Sequence, residues 1–105
     1  MNFNSLIILG RRYNVKFYKR PFNEEHDWGD CDGDKAIIRV RISTVGNDTI
    51  DTLLHEIGHA IWFEANRGSP TTEENAVRCL ATGYVKVLAR NPKLLKYINQ
   101  NIKPL

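Results

Sequence analysis

The chain has 105 residues, 42% hydrophobic and 26% charged, which fits one globular α+β-sized domain and excludes wholesale disorder and the large barrel or two-domain architectures. The net charge of +3 is too small to argue for nucleic-acid binding, and nucleic acid is not an expected partner. No run reaches the roughly 18 apolar residues of a membrane span, and Leu6 to Leu9 is too short for a signal-peptide core, so a soluble, cytoplasmic protein without a membrane partner is expected.

The two cysteines, Cys31 and Cys79, form no CxxC pair and fit a reduced compartment. Charge is unevenly spread. Arg11, Arg12, Lys16, Lys19 and Arg20 make a basic stretch, followed by the acidic Glu24, Glu25, Asp27, Asp30, Asp32 and Asp34. These form either two solvated, mutually attractive surfaces or an electrostatic rim that selects a substrate or partner.

In chain order, Phe3 to Leu9 reads equally as a short helix or a strand. Tyr13 to Tyr18 alternates, with Tyr13, Val15 and Phe17 on one face, and predicts a strand ended by Pro21. Phe22 to Lys35 is polar, carries Gly29 and Gly33, and reads as a loop or hairpin tip with a tight turn at Asp32-Gly33. Ala36 to Ile42 is the clearest strand, with Ala36, Ile38, Val40 and Ile42 inward. Asn47 or Asp48 can cap a helix from about Thr49 to Asn66, stopped before Gly68. A second helix opens at Ser69-Pro70-Thr71-Thr72, where Thr71 and Glu74 have capping-box spacing, and runs to about Arg90. Asn91-Pro92 stops it and starts a short third helix to about Asn99, with a frayed end through Leu105. Strands followed by helices give an α+β class.

The first long helix contains His55-Glu56-Ile57-Gly58-His59, an HExxH pattern. Histidines at i and i+4 stand on one face, one turn apart, so both imidazoles can reach one Zn²⁺. Glu56 lies about 100° round the helix from His55, beside the metal rather than on it, where it can act as general base toward water. Apolar Leu53, Leu54, Ile57, Ala60, Ile61, Trp62 and Phe63 would bury the helix.

A catalytic zinc needs a third protein ligand. Glu64 lies about 180° from His55 and points away. His26, in the acidic loop, is the other histidine. Glu73 falls near the centre of the second helix's apolar stripe (Ala76, Val77, Leu80, Tyr84, Val87, Leu88), where it would face the first helix and need a cation. Glu74 lies toward the edge and has a capping task, so Glu73 is favoured. Only 13 residues separate His59 from Glu73, so Glu73 reaches back only if the helices cross at an angle or the first ends early. Gly58, costly in a helix by roughly 1 kcal/mol, suggests close approach by a neighbouring element. Tyr84 belongs to the core stripe, though its hydroxyl could serve a transition state.

Thr52-Leu53-Leu54-His55-Glu56-Ile57-Gly58-His59-Ala60-Ile61-Trp62 resembles the active-site helix of zincin metallopeptidases. Glu73 to Ala81, running on to Asn91-Pro92, resembles the second helix of small phage-type members of the ImmA/IrrE-like glutamate-zincins. The resemblance covers about residues 36 to 92. It implies a minimal zincin core: a small twisted sheet against two helices, zinc held by His55, His59 and a glutamate, and Glu56 as general base. It also implies that the strand Ala36 to Ile42 lies along the cleft and can pair with an extended peptide. The chain departs from larger members in lacking a C-terminal subdomain and an obvious oxyanion-holding histidine or tyrosine, a role open to His26.

The expectation is a single-domain, cytoplasmic zinc metallopeptidase, active on a peptide or protein substrate. Its metal ligands are His55, His59 and Glu73, and its catalytic residue is Glu56. The alternative is a non-enzymatic, zinc-stabilised protein-binding module with a closed site, in which His26, Cys31 or Cys79 is a fourth ligand.

Overall fold

β1 (Ser5–Ile8) and β2 (Arg11–Tyr18) form an antiparallel hairpin in the computed structural model, which describes residues 3–19, 28–65 and 72–105. Leu9 and Gly10 make the turn, both at positive φ (49° and 86°), as a tight two-residue hairpin requires. The segment that periodicity left open is therefore a strand, with Leu6 and Ile8 buried and Ser5 and Ile7 half-buried. β2 buries Tyr13 and Val15 as their alternation predicts, and Phe17 packs against the same core.

Within the stretch read as a loop or hairpin tip, residues 22–35, Gly29–Asp32 forms a strand, β3, while residues 22–27 lie outside the described residues. Gly-Asp-Cys-Asp has neither apolar alternation nor strand propensity. It becomes a strand because β4 (Ile37–Arg41) offers an edge, with Asp30 opposite Arg39 and Cys31 opposite Ile38. Asp30 and Arg39 also form an ion pair. The connecting turn is longer than the expected Asp32-Gly33 pair. The Asp32 carboxylate accepts the Lys35 N–H (3.0 Å), and Ala36, though buried, sits at φ 55° and closes the turn before β4 starts. β4 runs parallel to β2, giving a mixed sheet in the order β1-β2-β4-β3. Pro21 and His26 lie outside the described residues.

Three helices follow: α1 (Asp48–Ala65), α2 (Glu73–Arg90) and α3 (Pro92–Asn101). α1 lies against β1, β3 and β4. Its Leu53, Ile57, Ala60 and Ile61 are fully buried, in one core with Leu6, Ile8, Tyr13, Val15, Ile38 and Val40 from one face of the sheet. That face is apolar in alternation, and the opposite face carries Arg12, Asn14, Lys16, Arg39 and Arg41. Ring contacts among Phe3, Phe17 and Tyr97, at 5.5–5.9 Å between centres, edge-on for Phe3 with each of the others and tilted for Phe17 with Tyr97, bring α3 onto the sheet.

The start of α2 differs from expectation by one residue. Thr72 is the N-cap, its hydroxyl accepting the Asn75 N–H (3.2 Å), so the N3 position is Asn75 rather than Glu74; Thr71 lies outside the described residues. Asn91 stands between α2 and α3 but caps neither with its side chain in the expected way. Its Oδ1 accepts the Ile7 N–H (2.9 Å), and its Nδ2 donates to the carbonyls of Ile7 (2.9 Å) and Val87 (2.7 Å), pinning the edge strand β1 to the end of α2. The end expected to fray is partly tied down. Asn47 exchanges two hydrogen bonds with the Lys103 backbone (3.0 and 2.7 Å), just ahead of α1. Among the described residues, no helix is long and apolar enough to cross a membrane.

Candidate metal centre

α1 presents one face to the core and the opposite face outward. His55 and His59 fall on the outward line and are exposed, as an i, i+4 pair opposite Leu53, Ile57 and Ile61 must be. Their Nε2 atoms converge to 3.1 Å, with ring centres 4.7 Å apart and planes at 80°. Two donors bound to one tetrahedral zinc at about 2.0–2.1 Å lie about 3.3 Å from each other. The separation is close to that spacing, and it is equally that of a hydrogen bond between the two rings.

Glu56 is turned inward by its position on the helix and is only 6% exposed. Its side chain lines a cleft, and among the described residues no buried side-chain oxygen is left without a partner. Burial raises its pKa, the charges of His55 and His59 lower it, and that of Asp30 raises it. The cover over Glu56 comes from β3. A Cβ at Gly29 would lie 2.7 Å from Thr52 Cγ2, 2.9 Å from the Arg39 carbonyl and 3.1 Å from Glu56 Cγ, so only glycine lets this strand lie so close to the helix. Trp28 and Gly29 on one side, and Asp48, Asp51, Thr52 and His55 with Glu56 on the other, line a cleft of about 510 Å³. Nothing in the sequence points to Trp28 at the cleft; the sequence marks Gly29 only as a loop residue and places Thr52 on the helix without assigning it to the cleft.

The strand expected to pair with an extended peptide, Ala36 to Ile42, does not border the cleft with a free edge. β4 is bonded to β2 on one side and β3 on the other. The strand that lies beside the cleft and has one neighbour is β3.

Gly58 has the reason its cost demands. Tyr84 of α2 reaches across it to donate a hydrogen bond to the Leu54 carbonyl, and a Cβ at position 58 would lie 3.1 Å from the Tyr84 hydroxyl oxygen. The hydroxyl is thus committed to the helix–helix contact, and burial raises its pKa. Glu64 points away from the histidines, as its helical angle predicts, and accepts hydrogen bonds from Arg11 (2.9 Å) and Tyr13 (2.6 Å). Phe63 does not help to bury α1: it is 45% exposed and covers Gly33.

The third ligand is not gathered with the pair. Among the described residues no three His, Cys, Asp or Glu side chains cluster as a metal would hold them. α2 meets α1 where Leu80, Gly83 and Tyr84 touch Gly58, Ile61 and Leu54. Glu73 starts the helix about 10 Å before Leu80 and is exposed there. Glu74 is exposed as well and pairs with Arg78 (3.4 Å), whereas Glu73 has no ion pair among the described residues. Cys31 and Cys79 are free thiols, half-buried against the core. His26 lies outside the described residues.

No family model, no curated protein and no solved structure matches this chain.

Proposed function

We propose that the chain is a minimal zincin-like, zinc-dependent metallopeptidase acting on a peptide or protein substrate. The observation that carries this reading is the convergence of the two imidazole Nε2 atoms to 3.1 Å, next to Glu56, a residue 6% exposed that lines the cleft beside them. His55 and His59 would hold the metal, with Glu73, unlike Glu74 free of an ion pair among the described residues, as third donor. Bound there, zinc supplies a Lewis acid that polarises a carbonyl and brings the pKa of water toward neutrality.

Glu56 has the position for the proton transfers: lining the cleft beside the histidines, it would take a proton from the attacking water and return it to the leaving amine. Among the described residues β3 has a neighbour on one side only, which gives an extended peptide a backbone to pair with beside the cleft. Glu56→Gln is expected to retain about one zinc per chain by elemental mass spectrometry and to lose hydrolysis by 10²-fold or more. Undiminished turnover in that variant refutes the role of Glu56.

A second reading, a zinc-stabilised protein-binding module, draws on one observation. The Tyr84 hydroxyl is occupied by Leu54, and the cleft lining among the described residues holds no further histidine or tyrosine to steady an oxyanion. It is supported if zinc binds and Glu56→Gln leaves partner binding and all measured function unchanged.

A further inference from the structure

The charge of the cleft is opposite to that of the chain. The molecule carries +3 overall, and the open face of its sheet displays Arg12, Lys16, Arg39 and Arg41. The cleft beside the histidine pair is instead lined by Asp48, Asp51 and Glu56. Asp48 and Asp51 stand on the outward line of α1, two turns and one turn before His55, and both are exposed. Neither forms an ion pair among the described residues. Acids in a first turn answer the helix dipole, but that dipole amounts to about half a charge, and two full carboxylates exceed it. Glu56, nine-tenths buried, lines the same cleft. Among the described residues Arg41 stands at the rim, over the Trp28 ring and 4.7 Å from its centre.

We infer that the cleft selects a basic side chain, lysine or arginine, of a bound peptide through Asp48 and Asp51. The inference rests on the peptidase reading for the peptide nature of the ligand. Distance sets the register. Asp51 lies about 6 Å and Asp48 about 10 Å along the helix from His55, and an extended peptide advances about 3.3 Å per residue. The basic residue therefore sits about two to three residues from the bond held at the histidines. Its aliphatic stem lies against Trp28, half exposed at the cleft wall, while its charged end meets the carboxylates.

The test reads binding apart from catalysis. In Trp62→Phe, Trp28 is the one remaining tryptophan, and its fluorescence reports cleft occupancy in EDTA. Acetylated and amidated Ala-Arg-Arg-Ala-Ala is titrated against the same peptide with glutamine in place of arginine. The arginine peptide is expected to bind roughly tenfold or more tighter, with the advantage shrinking as salt is raised. Asp48→Asn with Asp51→Asn is expected to erase most of that difference. Equal binding of the two peptides, no binding of either, or an advantage untouched by both salt and the double substitution overturns the inference. The salt titration uses no aspartate variant, so it stands even if the double variant folds poorly. Cleavage of a peptide mixture by the zinc-loaded protein then separates the two ideas. Arginine-selective binding with no cleavage sinks the peptidase reading and keeps the acidic subsite. Cleavage without basic preference two to three residues from the cut keeps the peptidase and removes the subsite.

Discussion

Glu64 and Cys31 show how position sets the behaviour of a group that composition alone leaves undetermined. The Glu64 side chain is only 7% exposed, and its Oε2 accepts from both Arg11 and the Tyr13 hydroxyl, tying the last turn of α1 to β2. Arg11 also donates to the carbonyls of Gly33 and Asp34, so the same guanidinium holds the β3–β4 turn. Removing the acid strands a buried hydroxyl as well as the cation, so Glu64→Ala is expected to cost about 2–3 kcal/mol in urea unfolding. Arg11→Ala, with its guanidinium far more open to water, is expected to cost less than Glu64→Ala. Burial likewise pushes the Cys31 thiol up to about 11, with the charges of Glu56 and Asp30 acting in the same direction. At pH 8 an ordinary thiol is about a quarter ionised, and Cys31 only about a thousandth. Alkylation of Cys31 in the folded protein is therefore expected to run at least a hundredfold slower than in the urea-unfolded chain, measured by mass spectrometry. The same shift has a consequence for stability. Between about pH 9 and 11 the unfolded chain releases this proton while the folded chain keeps it, so Cys31 makes stability fall as pH rises through that window. Cys31→Ser is expected to flatten that part of the profile.

At the scale of elements, the contact between α1 and α2 is made through glycines. A Cβ at Gly83 would lie 2.3 Å from Ile61 Cγ2, and a branched, fully buried side chain has no room to yield. Gly83→Ala is expected to destabilise the fold by about 1–3 kcal/mol despite its better helix propensity. Gly58→Ala meets only the Tyr84 hydroxyl, at 3.1 Å. In the parent the propensity gain is offset by displacement of that oxygen. In a Tyr84→Phe background the obstacle is gone, and Gly58→Ala is expected to stabilise by about 0.5–1 kcal/mol, so a double-mutant cycle in urea gives a coupling of that order. These contacts also mark how far the sequence could be read. Helices with apolar stripes and the strands Tyr13–Tyr18 and Ala36–Ile42 were legible because their periodicity records which face is buried. β3 was not, because Gly29–Asp32 becomes a strand only through its neighbour β4. The His55–Glu56–His59 geometry was legible because one helix fixes it. The cleft wall of Trp28 and Gly29 was not, because it comes from a segment more than twenty residues away in sequence.

The whole molecule has a small core, so a metal bound at the proposed site would add measurably to its stability. α2 buries only Gly83 and Val87 of its 18 residues, and its first turn, with Glu73, is held by the Thr72 cap and lies away from the core. A ligand that joined His55 and His59 to Glu73 would fasten that free end of α2 onto α1, adding a tertiary contact that the packing does not supply. Anything that binds the folded chain and not the unfolded one stabilises it by RT ln(1 + [L]/Kd), about 2.7 kcal/mol at a hundred times Kd. For a domain of about 100 residues that corresponds to a rise in Tm of about 10–20 °C. Zinc titration followed by thermal unfolding is therefore expected to raise Tm by that amount in the parent and not at all in His59→Ala. The two glutamates then separate. Glu73→Gln is expected to weaken zinc binding at least tenfold and to cut the Tm rise at a given zinc concentration. Glu74→Gln loses only a surface pair with Arg78 and is expected to leave the rise unchanged. If the two variants exchange behaviour, the ligand is Glu74 and the second helix must turn its first residues as zinc arrives. If neither variant moves the titration while His59→Ala does, the histidine pair binds zinc without a carboxylate from α2, and the two-helix clasp is refuted.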